Sequence, residues 1–382
     1  MTDSSITSPQ SEDTQQHQDV DIQLRECRKQ IDALDRQIVE LLNARARIVE
    51  RVGQIKQQGS IVAFIPEREE SVYENVRKTN RGPLGDDALK AIYREILSSM
   101  RSLEDHLTIA YLGPAHTFTH EAAQLRFGSA ALYVPQPAVQ EVFRTVERGL
   151  ADYGVVAIEN SLQGIVTATL DSFIDIDPNL KICAEIILPI SHFLLGTGPL
   201  EHVRRVYSHP MALGQCRNWL AAHLAHCEQI EVSSTSRAAE LAQEDALAAA
   251  IGSKLAANHY GLRILAEHLE DRSDNATRFY VLGRQLSQPT GNDRTALMLS
   301  IRDRIGALHD ITGCLVRHNI NMTHFDHRPS RRKVWDYIFF IEITGHSTDP
   351  EVEATLDELR EYCLAVRVLG SWRTGELAAV RA

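Results

Sequence analysis

No stretch of this 382-residue chain approaches the roughly 20 consecutive apolar residues that a membrane span needs. The first 20 residues, Met1 to Val20, have neither a basic start nor an apolar block. Rich in Ser, Thr, Gln and Asp, they read as a disordered tail and not as a signal peptide. Cysteine is sparse and scattered: Cys27, Cys183, Cys216, Cys227, Cys314 and Cys363 show no C-x-x-C spacing. Neither a zinc site nor a disulfide framework is indicated, and a reducing cytoplasm fits. Cations are outnumbered, 40 Lys and Arg against 51 Asp and Glu, for a net charge of −11. That balance argues against nucleic acid and anionic membrane as partners, but local cations can still hold a small anion. No His/Asp/Ser triad and no metal-ligand spacing stands out.

What is present begins with a long helical pattern. Its apolar stripe runs Ile31, Leu34, Ile38, Leu41/Leu42, Ile48/Val49, Val52 and Ile55, in steps of three and four. Arg45 falls on this stripe, four after Leu41 and three before Ile48; Arg28 extends it upstream and Lys56 downstream. Burying a cation is costly unless an anion meets it. Two explanations stand: the side chains snorkel out at the edge of the stripe, or a ligand with several negative charges supplies the missing partner. A helix of this length could run roughly 50 Å at 1.5 Å per residue, which predicts pairing with a second chain.

Three regions follow from the patterning. Residues 21–106 are helical throughout, with a break at Gly59 to Pro66 and a turn at Asn80-Arg81-Gly82-Pro83. Residues 107–285 alternate short β-rich runs with helices, the pattern of an α/β fold with a largely parallel sheet, as one domain or two lobes. After a polar linker from Gln285 to Asp293, residues 294–376 read β-α-β-β-α-β, the ferredoxin-like plan.

In the middle region small polar residues crowd directly after strands: Asn160-Ser161, Ser208-His209, Ser233-Ser234-Thr235 and Ser253. Strand ends use such residues as turn formers and helix caps. Ligands of open α/β sheets also bind there, so their number points to one shared cleft. The polar run Glu270 to Phe279 reads by composition as a solvated loop.

These motifs, in this order, resemble the bifunctional chorismate mutase–prephenate dehydratase family over residues 21–376. The mutase likeness rests on Arg28-x-x-Ile31-Asp32-x-Leu34-Asp35, Arg45, Lys56 and Pro66-Glu67-Arg68-Glu69. The dehydratase likeness rests on Gly113-Pro114, Thr117-Phe118-Thr119, Glu159-Asn160-Ser161-x-x-Gly164, Tyr207-Ser208-His209-Pro210, Gln215-Cys216, Ser233-Ser234-Thr235 and Thr277-Arg278-Phe279. The last region is similar to the ACT regulatory domain at Gly306-Ala307-Leu308 and Arg328-Pro329.

The resemblance implies an all-α mutase domain, a two-lobed α/β dehydratase domain and an α+β ACT domain. It implies that Arg45, Lys56 and Arg68 hold the dicarboxylate chorismate in a chair-like conformer, with Glu69 on the ring hydroxyl and Arg28 reaching in from a partner chain. Rearrangement to prephenate is pericyclic, so orientation and charge stabilisation at the ether oxygen suffice. Glu104 stands near that oxygen and would donate a hydrogen bond only when protonated. In the dehydratase, Thr277 would be the proton donor, with Asn160, Ser161, Ser208, Gln215, Ser233, Ser234, Thr235 and Arg278 binding or orienting prephenate. Gly306, Ala307, Leu308, Asp326, Arg328 and Pro329 would hold phenylalanine as a feedback inhibitor. No cofactor or metal is implied; the implied assembly is a homodimer or larger.

Three positions depart from the family pattern. His116 replaces a loop glycine, Ile65 stands where some relatives carry Asp, and Asp326-His327 replaces Glu-Ser before Arg328-Pro329. The competing reading is an amino-acid sensor whose helical region only dimerises. The set Arg28, Arg45, Lys56, Arg68 and Thr277 favours the enzyme, and formation of phenylpyruvate from chorismate separates the two.

Overall fold

The computed structural model describes residues 9–59, 66–104, 106–301, 304–329 and 337–375, with side chains from 20 to 55 in the first helix and from 69 in the second. The chain divides into two compact units, residues 1–63 and 64–382. The first holds helix α1 (Pro9–Gly59). Its backbone is helical from Pro9, so residues 9–20 are not the irregular tail that composition suggests. Pro9 tolerates the first helical position because no N–H is needed there, and neither glycine nor proline interrupts the next 43 residues, Gln10 to Val52. Ile31, Leu34, Ile38, Leu41, Ile48 and Ile55 are each more than half exposed in the single chain.

The second unit opens with α2 (Pro66–Thr79) and α3 (Asp86–Glu104). Asp86 and Asp87 in the first turn of α3 and Arg101 in its last turn match the helix dipole. Leu97, Ser98 and Met100 are buried. A boundary near residue 106 therefore does not separate compact units here: α3 packs against the following domain. Ser98 Oγ accepts from Ala130 N (3.1 Å), Glu95 from the backbone and hydroxyl of Ser129, and Arg101 donates to Phe127 O at 2.6 Å.

The next region forms two lobes. The first contains β1 (Thr108–Leu112), α4 (Phe118–Phe127), β2 (Leu132–Gln136), α5 (Val139–Glu147), β3 (Tyr153–Asn160), β4 (Gly164–Ile165), α6 (Thr167–Asp175) and β5 (Lys181–Pro189). The second contains β6 (Phe193–Gly196), β7 (Arg205–Ser208), α7 (Pro210–Gln215), α8 (Arg217–His223), β8 (Glu228–Glu231), α9 (Thr235–Gln243), β9 (Ala248–Gly252), α10 (Lys254–Tyr260) and β10 (Arg263–Ala266). Strand β11 (Ala276–Gly283) then returns to the first lobe.

The pairing is mixed, not largely parallel. β1 pairs in parallel with β2 and β3, and β7 with β8 and β9. β11, however, lies antiparallel between β3 and β5, and β6 lies antiparallel between β9 and β10. The reason is topological: a chain that leaves one lobe and comes back inserts its returning strand in the opposite sense.

The last region is β12 (Asp293–Ile301), α11 (Ala307–Arg317), β13 (Met322–Pro329), β14 (Tyr337–Thr344), α12 (Pro350–Tyr362) and β15 (Cys363–Arg373), the β-α-β-β-α-β order read from sequence. Gly306 caps α11 in the left-handed region, φ 82°, where a side chain would be strained. A parallel contact, Gly370 with Ile182, joins β15 to β5, giving the order β13-β14-β12-β15-β5-β11-β3-β1-β2 in one sheet, with β4 paired to β3. Trp372, fully buried, and Phe340 share a core with Val142, Phe173 and Tyr280 of the first lobe.

Candidate active sites

Thr277 lies on β11 directly across from Asn160 at the end of β3. The Asn160 amide nitrogen donates to Thr277 Oγ1 at 3.0 Å and to Asn275 Oδ1 at 2.9 Å. Its carbonyl oxygen accepts from the backbone of Leu162 (3.1 Å) and Gln163 (3.2 Å), which fixes the amide's orientation from the turn that follows the strand. Asn275 Nδ2 in turn donates to Gln215 Oε1 at 3.1 Å, and Gln215 Oε1 lies 2.7 Å from His192 Nε2. One continuous chain of hydrogen bonds thus links Thr277 to the second lobe. The His192 ring meets Phe118 edge-on, 5.5 Å between centroids. Burial pushes the His192 imidazole below its usual pKa, beyond what Gln215 returns, so it is the neutral form that bridges the lobes.

A cavity of about 480 Å³ opens where the lobes face each other, lined by Ala115, His116, Ser233, Ser234, Arg237 and His259 among others. Ser234 caps α9, accepting from Arg237 N at 3.0 Å, and Thr235 begins that helix. His116 has a left-handed backbone, φ 66°, the region that favours glycine. Its ring stacks on His259 across the cleft at 3.6 Å, a contact that helps offset the strain a side chain meets there. Burial, and to a lesser degree His259, lower the pKa of His116; burial and then His116 lower that of His120 to about 4. His116 and His120 are therefore uncharged at neutral pH, and the charge on the cavity lining comes from Arg237 and Glu240.

Other residues singled out by sequence are spread more widely. Ser208 is fully buried and donates to Ile251 O (2.8 Å), and Ser161 bonds the backbone of Asp274 and Ala276. Both hold strands together at the cleft. Arg278 departs from the substrate-binding role that the resemblance implies: its guanidinium lies between carboxylates of Glu159 (3.2 Å), Glu185 (3.4 Å) and Glu342 (2.7 Å). Successive strand residues face opposite sides, so Arg278 turns away from the side Thr277 occupies.

The run Glu270 to Phe279 is a solvated loop only in part: Asp271 to Asp274 are exposed, whereas Asn275 is buried and Ala276 to Phe279 belong to β11. Asn275 is 2% exposed. Glu270 accepts from His192 N and Ser191 Oγ, and Asp271 from the N–H groups of Asn218 and Trp219 at the start of α8. Carboxylates that satisfy backbone donors look in sequence the same as carboxylates in water. Asn275 and His192 are functional candidates that sequence reasoning missed; the one available sign was Asn275 lying two residues before Thr277.

In the mutase region, Arg45 is half-buried on α1 while Arg28 is exposed. The side chains of Lys56 and Arg68, and Ile65 altogether, lie outside the described residues. Glu104 ends α3. Glu69, 6% exposed, is ion-paired with Arg101 (2.6 Å) and Arg126 (3.5 Å), so it ties α2 to α3 and to α4 of the dehydratase. Burial raises its pKa despite both arginines.

In the ACT domain Gly306, Ala307 and Leu308 form the start of α11, with Leu308 exposed and Ile305 fully so. Asp326 accepts from His327 N at 2.6 Å. Arg328, next to Pro329, donates to both oxygens of Asp171 on α6 (2.6 and 3.0 Å). Cys314, His318 and Glu358 bring ligand atoms within 4.8 Å of one another. Glu358 is already held by Arg317 and His318, and a guanidinium on that carboxylate opposes a cation, so this is an ion-pair cluster.

One carboxyl beside the cleft titrates where it can be tested. Burial raises Glu121, in the first turn of α4, to about 7. A carboxyl with a raised folded pKa gives full stability below its unfolded value of 4.5, and that stability is lost as pH rises through 7. Glu121→Gln should therefore unfold at higher urea concentration than the parent at pH 8, by up to about 3 kcal/mol, and match it near pH 4. Equal midpoints at pH 8 would show that Glu121 is solvated.

Three family models match in order: chorismate mutase type II over residues 27–105, prephenate dehydratase over 109–287 and the ACT domain over 295–361. A bifunctional chorismate mutase/prephenate dehydratase of Aquifex aeolicus is 43% identical over 92% of this chain and 98% of its own. Another from Pseudomonas aeruginosa is 40% identical over 92% of this chain and 97% of its own. The crystal structure of prephenate dehydratase from Arthrobacter aurescens, in complex with L-Phe, superposes with a TM-score of 0.65 at 34% identity, covering 70% of this chain and 90% of that one. With three domains matched in sequence and relatives matched almost end to end, the chain belongs to the bifunctional chorismate mutase/prephenate dehydratase family.

Proposed function

We propose the following residue roles for this bifunctional enzyme, a chorismate mutase and prephenate dehydratase. In the mutase, Arg28, Arg45, Lys56 and Arg68 bind the two carboxylates of chorismate, and Glu104 serves the ether oxygen. The exposed apolar face of α1 supports a second copy of the chain as its cover, with Arg28 crossing between copies: that much apolar surface is costly to leave in water. Glu69 has a supporting role, since its carboxylate is paired with Arg101 and Arg126.

In the dehydratase, Thr277 gives its hydroxyl proton to the departing ring hydroxyl of prephenate, which leaves as water. The ring carboxylate leaves as CO2, and its bonding electrons complete the aromatic ring of phenylpyruvate. The observation that carries this reading is the hydrogen bond from Asn160 to Thr277 Oγ1. With that oxygen already accepting, the hydroxyl hydrogen is left to point at substrate, and the amide stabilises the alkoxide that forms. Solvent must restore the proton. Gln215, Ser233, Ser234 and Thr235 bind or orient prephenate on the second lobe, while Ser161 and Ser208 hold the cleft's strands.

Regions 21–106, 107–285 and 294–376 carry mutase, dehydratase and regulation respectively. Phenylalanine is the effector, bound at Gly306, Ala307, Leu308, Asp326 and Pro329 between two ACT domains. The L-Phe complex of the Arthrobacter relative and the exposure of Ile305, Leu308 and Val316 support this. No helix among the described residues is long and apolar enough to cross a membrane; together with the sparse cysteines this supports a cytoplasmic enzyme. Calorimetric titration of the full chain with phenylalanine should show binding below millimolar concentration, with dehydratase inhibition at the same concentrations. Asp326→Glu with His327→Ser should tighten both. Absence of binding at millimolar phenylalanine would remove the regulatory assignment and leave catalysis untouched.

A further inference from the structure

Two ion pairs connect the ACT domain to either side of the Thr277–Asn160 hydrogen bond. The first is Glu342 on β14 with Arg278 on β11, Oε2 to Nη1 2.7 Å. Glu342 is 2% exposed, its other oxygen accepts from Tyr280 Oη, and Arg294 Nη1 stands 3.6 Å away. Burial alone would raise its pKa, but the Arg278 hydrogen bond and charge more than offset this, and the carboxylate stays ionised. Breaking such a pair leaves an uncompensated buried charge, so the contact is stiff. Arg278 is the residue next to Thr277.

The second pair is Arg328 on β13 with Asp171 on α6, both oxygens engaged. Helix α6 starts at Thr167, just after β4, and Gly164 of β4 pairs with Asn160. The first bridge therefore ends on β11, the strand that carries Thr277, and the second on α6, the helix that follows β4, whose Gly164 is paired with Asn160. They do so from one rigid element, since β13 and β14 are adjacent antiparallel strands.

We propose that Glu342 and Asp171 are positioning residues of the dehydratase: acting through Arg278 and with Arg328, they hold Thr277 and Asn160 in hydrogen-bonding register, so that the ACT domain completes the active site. This rests on Thr277 as proton donor. Neither residue touches substrate. A donor and its orienting amide tolerate little displacement, because proton transfer requires heavy-atom distances within about 2.6–3.2 Å.

The test uses the full-length chain, with its mutase turnover as an internal count of folded protein. Glu342→Gln should lower dehydratase kcat about tenfold or more per mutase-active chain, with KM for prephenate within about twofold. Glu342→Asp, which keeps the charge, should recover much of that loss, and Asp171→Asn should lower kcat in the same sense. If Glu342→Gln also loses mutase activity, its fold has failed, and the more accessible Arg328–Asp171 pair carries the test through Asp171→Asn. Wild-type kcat in the folded variants, with Thr277→Ala inactive, would overturn the positioning role alone. An active Thr277→Ala would instead overturn the site reading on which it stands.

Discussion

Thr277→Ala lowers conversion of prephenate to phenylpyruvate by about a thousandfold, within the range by which positioned acids accelerate proton transfer, while chorismate is still turned over to prephenate at close to the parental rate. The hydroxyl is small, and its removal leaves Asn160 held by Asn275, Leu162 and Gln163, so the fold has little reason to change. Thr277→Ser keeps the hydroxyl and retains a large part of the activity. The measurement is steady-state phenylpyruvate formation from prephenate beside a separate mutase assay on the same preparation. Equal loss of both activities would mean that Thr277 supports the fold and not the reaction.

Arg45→Ala produces the opposite separation. Mutase turnover falls by a factor of about a hundred or more, the cost of losing a cation that holds a substrate carboxylate and so the reactive conformer. Prephenate added directly is still converted to phenylpyruvate. Arg45 sits half-buried on α1, in a compact unit of its own, residues 1–63, while Thr277 and Asn160 lie in the unit 64–382. A substitution that acts only through substrate contact should not cross from one to the other. Loss of phenylpyruvate formation from prephenate in Arg45→Ala would identify a fold contact where a site contact is proposed.

The family and its three domains were legible in the chain because they rest on local signals: helical spacing on α1, runs that became β1, β3, β7 and β9, and the β-α-β-β-α-β order after the linker. Short motifs survive in sequence since each needs only a few neighbouring residues to form a turn, a cap or a strand end. Thr277 and Asn160 were both named, but 117 positions separate them, and only the antiparallel return of β11 beside β3 brings the amide to the hydroxyl. A mixed sheet could not be read from runs that look alike in either sense.

Charged and polar residues were the hardest to place. Glu270, Asp271 and Asn275 sit in a run that composition assigns to solvent, yet they satisfy backbone donors and bridge the lobes. Arg278 carries a substrate-binding signature and turns to Glu342, 64 residues away, on the far face of its strand. Glu69 bears the mutase motif and pairs with Arg126 of the dehydratase. Sequence by itself determined which domains this chain builds, because periodicity and short motifs are local properties. Which charge each cation meets was decided only by the tertiary structure, because an ion pair depends on distances set by chain crossings that no local pattern encodes.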